Sequence, residues 1–316
     1  MTRTGRDTAR GTRAAPQGEG AGPVRRPSRR GAWVLGYAFV APTVVLTVLF
    51  SLVPLGMLLW RSLYSGGVFD FAPTFAGLDN YTAMLAEGGG RALGVTGLYT
   101  AGFIVLTMGA GLGLGLLLNS RAPGVARLRA PFVIPLVVPV VATALIWANM
   151  FAPRFGLVNR LLGALNLPQA DFLSSPGLAL LAVLTFGAWQ FFGQNVILYV
   201  AALKSVPQDV LDAASVDGAG AWRRFRHVQW PMMHRQTLLI WVVTTLTGLQ
   251  TFTQIYVLTQ GGPDGATSTA LYYVYNEGFV QFDTGRANAM GVALFLLSLL
   301  VTMAQLWLAG RADRAR

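Results

Sequence analysis

The hydrophobic pattern is one of long apolar runs free of charge. Six stretches contain no Asp, Glu, Lys or Arg: 32–60, 92–120, 130–153, 172–203, 236–263 and 287–310. The shortest holds 24 residues and the longest 32. A hydrocarbon core about 30 Å thick needs about 20 apolar residues at about 1.5 Å of rise each. All six are long enough to cross, and buried helices of soluble proteins seldom run so far without charge. The predicted fold class is therefore all-α: a polytopic membrane protein with six transmembrane helices, occupying 32–310.

Polar positions punctuate these spans in informative ways. Pro42 and Pro54 fall in span 1, and Pro131, Pro135 and Pro139 in span 3. Proline is tolerated in a membrane helix when neighbours satisfy the freed backbone groups, so kinks are expected there. Span 2 carries Gly109, Gly111, Gly113 and Gly115, a small-residue face suited to close helix packing. Between spans, "GLDNYTAML" (77–85) predicts a short interfacial helix with Asp79 or Asn80 as N-cap. "GLVNRLLGALNL" (156–167) predicts a helix lying along the membrane surface. "TQGGPDG" (259–265) is a turn signal by composition.

Charge adds an orientation. The net charge is +11, which by itself would suit a nucleic-acid partner. Its distribution excludes that reading. With a cytoplasmic N-terminus, the inside segments 1–31, 121–129, 204–235 and 311–316 hold 19 of the 24 Lys and Arg, while the 13 acids divide 6 inside and 7 outside. The bias counts basic residues rather than net charge, so it reports topology. Both termini are thus expected in the cytoplasm and the protein in the cell membrane. The segment 1–31, rich in Arg, Gly and Pro, reads as a disordered basic tail. Ser28-Arg29-Arg30 before an apolar run imitates a twin-arginine signal, but the run is too long for one and five more spans follow.

No cysteine is present, which removes disulfides, Cys-ligated metals and thiol chemistry. His227 and His234 lack ligand-like companions, so no metal site is expected. A small polar element stands out instead at 204–235, where "DAASVDGAGAWRRF" (212–225) separates two apolar runs. Ser205-Val206-Pro207-Gln208 has the form of a capping box, predicting a short helix over 206–216. Gly218 supplies a permissive backbone and Asp217 a second N-cap for a helix over 219–228. Trp222 and Phe225 share a face of it at i, i+3, and Pro231 marks the return to the membrane. The product is a compact helix–turn–helix knob.

The run "VPQDVLDAASVDGAGAWRRFRHVQWPMM" closely resembles the EAA loop of membrane subunits in binding-protein-dependent ABC importers. Asp212-Ala213-Ala214 stands where that pattern has Glu-Ala-Ala, Gly218 at its glycine, and Val228-Gln229-Trp230-Pro231 at its close. Asp for Glu keeps the charge and shortens its reach. Gly77-Leu78-Asp79-Asn80-Tyr81, Gly156-Leu157-Val158-Asn159 and Thr259-Gln260-Gly261-Gly262-Pro263 are similar to segments of the maltose-type sugar permeases. The resemblance covers roughly 33–310.

It implies the type I ABC importer permease fold and a set of partners. These are a second homologous permease, two ABC ATPase subunits that bind ATP and magnesium, and an extracytoplasmic sugar-binding protein. The coupling loop would sit in a cleft of an ATPase, with Asp212, Ala213, Ala214, Asp217, Gly218, Ala219, Trp222, Phe225 and Pro231 as its contact set. Small residues permit close approach, and Asp212 can pair with a cation. This chain has no catalytic residues of its own for ATP hydrolysis, because its one lysine, Lys204, follows Leu203 and no G-x4-G-K-[ST] loop exists.

For the substrate pathway, polar side chains within spans are costly unless used. Gln190 and Gln194 lie a turn apart on span 4, and Thr244, Gly248 and Thr251 follow i, i+4, i+7 on span 5. By resemblance these positions coincide with sugar contacts in maltose-type permeases. Gln250 and Gln254 fall on another face and are expected to join helices or the partner subunit. The spans hold no Asp, Glu, Lys or Arg to relay protons, which disfavours a secondary transporter. Sugar import is the leading expectation. The alternatives are a polyol or glycerol-phosphate importer, which would want cations near the pore, and a receptor or scaffold without transport.

Overall fold

The computed structural model describes residues 29–67, 72–119 and 129–314; the tail 1–28 lies outside them. The described residues fall into two compact units, divided after Pro54. In the first, α1 (Arg29–Thr47) accommodates Pro42 in its interior and runs on through a wide turn, Val48–Leu52. Helix α2 (Val53–Arg61) has its first two residues in that unit and, in the second, leads to a small hairpin of β1 (Tyr64–Ser65) and β2 (Thr74–Phe75), paired antiparallel. Next come α3 (Asp79–Met84), α4 (Gly90–Leu118), α5 (Arg129–Val137), α6 (Val140–Met150) and α7 (Leu157–Ala164). The chain continues with α8 (Pro176–Lys204), α9 (Gln208–Val216), α10 (Ala221–Arg224) and α11 (Trp230–Met232). It closes with α12 (His234–Leu249), α13 (Thr253–Leu258), α14 (Ala270–Tyr275) and α15 (Thr284–Arg314).

Among the described residues, five stretches are long and apolar enough to cross a membrane: 37–61, 79–118, 176–204, 234–258 and 284–311. The sixth predicted span, 130–153, is not continuous. Its two halves, α5 and α6, meet at a bend of 111°. Pro131, Pro135 and Pro139 each remove a backbone donor, and Pro139 opens α6 as its N-cap with extended ψ of 126°. The bend frees backbone carbonyls, and Gln190 supplies the donors. Its Nε2 donates to Pro135 O at 2.5 Å and Val138 O at 3.2 Å, while Oε1 accepts from Thr143 Oγ1 at 2.8 Å.

The long helices α4 and α8 form the central pair. A Cβ on Gly111 would stand 2.6 Å from Asn195 Cβ, and one on Gly115 would meet Tyr199 Cβ at 3.0 Å. Gly109 and Gly113 have open space. The predicted glycine face is thus half right: alternate glycines pack, because only positions four apart share a helix face. A buried cluster of Tyr99, Phe103, Val183, Phe186 and Ile255 fills the middle of the bundle. A second, of Tyr199, Leu203, Val206, Met233 and Ile240, lies toward the end that carries the knob.

At the opposite end the loops are welded together. Asn80 is buried and is not an N-cap; the cap position is Leu78, and no side chain bonds there. Asn80 Nδ2 instead donates to Ser62 O at 2.8 Å and Tyr64 O at 3.0 Å, tying α3 to the hairpin. Thr284 Oγ1 donates to Gly66 O at 2.6 Å, and Gly67 bridges Asp283. Arg286 pairs with Asp283, Glu277 and Glu87. Asn159 does the same service after α6. It is buried, donates to Pro153 O and Ala170 O, and accepts from Ala170 N, leaving Leu157 and Leu161 of α7 exposed as a surface helix requires.

Candidate functional site

Two features have the geometry of a site: the knob at one end and a polar cleft in the bundle. The knob begins later than the sequence suggests. Ser205 does not form a capping box; its Oγ donates back to Ala202 O at 2.7 Å, finishing α8. Val206 precedes Pro207 and is pushed out of helical backbone, so α9 starts only at Gln208 with Pro207 as N-cap.

The exit from α9 is set by Gly218. Asp217 is the C-cap of α9, not the N-cap of the next helix, which is Gly220. Gly218 sits at φ +74°, in the left-handed region. Around it Ala219 N donates to Ala214 O at 3.0 Å and Gly218 N to Ser215 O at 3.1 Å. This is the 6→1 and 5→2 pair of a Schellman stop, which satisfies the orphan carbonyls of α9. The second helix then starts at Ala221, two residues later than predicted, and runs through a wide turn, Phe225–Gln229, into α11.

Small residues crown the result. Ala213 and Gly218 are exposed, Ala214 and Ala219 half-buried. Asp212 is exposed, and its Oδ1 accepts from Gln208 Nε2 at 2.8 Å. Trp222 stacks near Phe225, with centroids 5.6 Å apart, and Phe225 near Trp230 at 6.0 Å, so the shared face read from the sequence is present. Val216 and Trp222 nonetheless remain 89% and 73% exposed. Arg224 donates to Ser215 Oγ at 2.5 Å, bracing the two helices. The base is anchored by Val206 and Met233, both buried in the adjoining cluster, and Pro231 lies within α11. The knob is rigid below and open above.

The cleft arises from a second interrupted span. Residues 250–252 break the helix between α12 and α13, with Phe252 at φ −137°, ψ −60°. Thr269 Oγ1 donates to the freed Thr251 carbonyl at 2.9 Å. Thr251 is therefore not on a continuous helix with Thr244 and Gly248, and the i, i+4, i+7 alignment ends at Leu249. A hollow of about 240 Å³ opens here beside Phe191, Thr247, Gln250, Thr251, Phe252 and Thr253. Gln194, Asn195 and Thr244 border a narrow gap that shares Phe191 and Thr247. Among the described residues, no charged side chain lines either space.

The predicted pathway residues divide accordingly. Gln194 is half-buried at the gap. Thr251 forms part of the wall, but its Oγ1 accepts from Gln254 Nε2, which also reaches Tyr99 OH. Gln254 thus joins helices as expected. Thr244 is buried and donates to Asn195 Oδ1 at 3.1 Å. Gly248 is pressed against Thr100, where a Cβ would stand 2.9 Å from Cγ2. Gln190 is 1% exposed and fully engaged at the α5–α6 bend, so here it is a clamp and not a cleft residue. Gln250, assigned from the sequence to joining helices or the partner subunit, is exposed in the cleft, with Thr247 half-buried beside it.

Residues 107–314 match the family model described as "Binding-protein-dependent transport system inner membrane component". The chain belongs to that family. It is 34% identical over 278 residues to the sn-glycerol-3-phosphate transport system permease protein UgpA of Agrobacterium fabrum, covering 86% of this chain and 93% of the relative. It is 31% identical to the trehalose/maltose transport system permease protein MalF of Thermococcus litoralis, covering 86% and 92%. Its fold is that of a bacterial ABC transporter involved in import of alginate, with TM-score 0.78, 21% identity and coverage of 89% and 96%. The alginate transporter was also solved with its alginate pentasaccharide-bound periplasmic protein, and that structure matches at TM-score 0.76 and 20% identity, covering 87% of this chain and 93% of that one. The expected all-α, type I importer permease fold is therefore present, and the chain is an importer permease component of the inner membrane.

Proposed function

We propose that this permease forms half of an ATP-driven pathway for a neutral sugar. The observation that carries the reading is the chemistry of the cleft. Amides and hydroxyls (Gln194, Thr247, Gln250, Thr253) stand beside aromatic rings (Phe191, Phe252), without a charge among them. Such groups both donate and accept, as sugar hydroxyls demand. A relative that transports trehalose and maltose supports the assignment. The similarity to a glycerol-3-phosphate permease supports the second reading. A phosphate dianion in a membrane cavity needs cationic partners, however, and the described residues lining the cleft offer none.

A second homologous permease supplies the other half. Two ATPase subunits, each holding Mg-ATP, clamp one knob apiece, with Asp212, Ala213, Ala214, Gly218 and Ala219 at this contact. The knob and both termini are cytoplasmic, by the basic-residue bias. An extracytoplasmic sugar-binding protein delivers substrate to the opposite end. The test is ATP-dependent uptake by cells expressing the complete transporter, with labelled maltose and glycerol 3-phosphate as probes. Saturable import of the neutral sugar alone is expected. Import of glycerol 3-phosphate alone would overturn the sugar assignment.

A further inference from the structure

The sequence signal "TQGGP" is left unexplained by the cleft and the knob, and its geometry leads to a new feature. Gly261 sits at φ +78°, and a Cβ there would collide with Tyr272 Cε1 at 2.5 Å. The missing side chain is what lets the Tyr272 ring lie across the turn. Tyr272 is one of five rings in a connected row. Phe252, at the edge of the cleft, stands 5.6 Å from Tyr256, 6.5 Å from Tyr272 and 5.3 Å from Tyr275. Tyr275 in turn stands 5.2 Å from Tyr256 and 5.9 Å from Phe279. The row ends in the open, with Tyr256 43% and Phe279 69% exposed. Phe252 and Tyr275 are half-buried, so the row runs from the cleft wall to the surface at the end opposite the knob.

We propose that these five rings are a stacking track that receives the pyranose rings of a neutral saccharide and leads them into the Thr247–Gln250 cleft. The inference rests on the neutral-sugar reading above. Three observations support it. The row is continuous with the cleft through Phe252, which lines both. Its steps of 5.3 and 5.9 Å from Phe252 through Tyr275 to Phe279 suit successive sugar units, with ring planes inclined by 57° at the first step and 20° at the second. Its members are flat rings, three of them carrying a hydroxyl. A sugar presents an apolar C–H face and a polar rim, which matches a tyrosine ring and its hydroxyl. The negative face of a π-system repels an anion, so the track selects against phosphate as well as lacking attraction for it.

The test uses cells carrying the complete transporter, with Tyr275→Leu, Phe279→Leu and the double variant beside Tyr275→Phe. Leucine keeps apolar bulk and removes the π-face; phenylalanine keeps the face. Glucose, maltose, maltotriose and glycerol 3-phosphate are the probes. The double Leu variant is expected to lower the maximal import rate about five- to tenfold, more for maltotriose than for maltose. The half-saturating concentration, set by the binding protein, should not move, nor should membrane content or ATPase activity. Tyr275→Phe should stay within about twofold of the parent. Parental import rates in the Leu variants would overturn the track, as would a parallel loss of the second permease from the membrane, which would make the row a subunit contact. A parent that imports glycerol 3-phosphate and no neutral sugar would instead overturn the underlying sugar assignment.

Discussion

Replacing Gly218 with valine is expected to uncouple the importer: import falls more than about tenfold while the permease still reaches the membrane. The cause is local. At φ +74° a β-branched side chain is an outlier, costing about 1–2 kcal/mol even though space around Gly218 is open. That cost falls on a turn with few tertiary contacts, held by the Ala219 N to Ala214 O and Gly218 N to Ser215 O bonds. Relief comes most easily by unwinding the end of α9, which moves Ala213 and Ala214. The bundle itself, anchored by Val206 and Met233, should be untouched. Gly218→Asn should retain most import, because asparagine tolerates left-handed backbone. Initial uptake rates read beside ATP hydrolysis decide the matter. Normal import by the valine variant would remove the turn from the coupling path.

The second large effect is expected at Gln190, and it should appear as stability, not as substrate affinity. Gln190→Leu keeps most of the volume but removes the donors for Pro135 O and Val138 O and the acceptor for Thr143. Stranded carbonyls in a dry interior cost about 1–3 kcal/mol each, although interhelical bonds in membranes often measure at the low end of that range. A loss of about 2–4 kcal/mol should follow, seen as a lower melting temperature of the detergent-solubilised complex. Substrate selectivity among the remaining assembled molecules should not change. An unaltered melting temperature with altered selectivity would return Gln190 to the pathway.

These two residues also mark where the sequence is legible. Spans free of charge are a strong signal because hydrocarbon excludes charge, so the positions of the crossing segments could be read directly. The break in span 3 was announced by Pro131, Pro135 and Pro139, but its clamp was not, since Gln190 lies 52 residues and more from the carbonyls it serves. The break at 250–252 had no announcement. Gln250, Thr251 and Phe252 are ordinary helix residues, and the partner for the freed carbonyl is Thr269, in another segment. That break takes Thr251 out of helical phase with Thr244 and Gly248, so the three do not share one face, and Thr251 lines the cleft beside Thr247 and Gln250.

The knob shows the same division at smaller scale. Gly218 and the Trp222–Phe225 pair were readable because backbone permissiveness and i, i+3 spacing are local properties. Ser205, Asp217 and Asn80 were misread as caps because the cap rule describes a preference, and each of these positions answers to a stronger constraint. Pro207 delays α9, Gly218 turns Asp217 into a helix end, and Asn80 is drawn to the hairpin carbonyls of Ser62 and Tyr64.

The central claim is that the exposed knob is gripped by an ATP-binding subunit. The chain has no native cysteine, so a single cysteine at Ala214 can report on it without background. Cross-linking from Ala214→Cys in intact cells tests the claim most directly. The account predicts an adduct with an ATPase subunit whose yield changes when ATP is depleted. Capture of no ATP-binding partner, or labelling of that cysteine by a membrane-impermeant maleimide added outside, would contradict it.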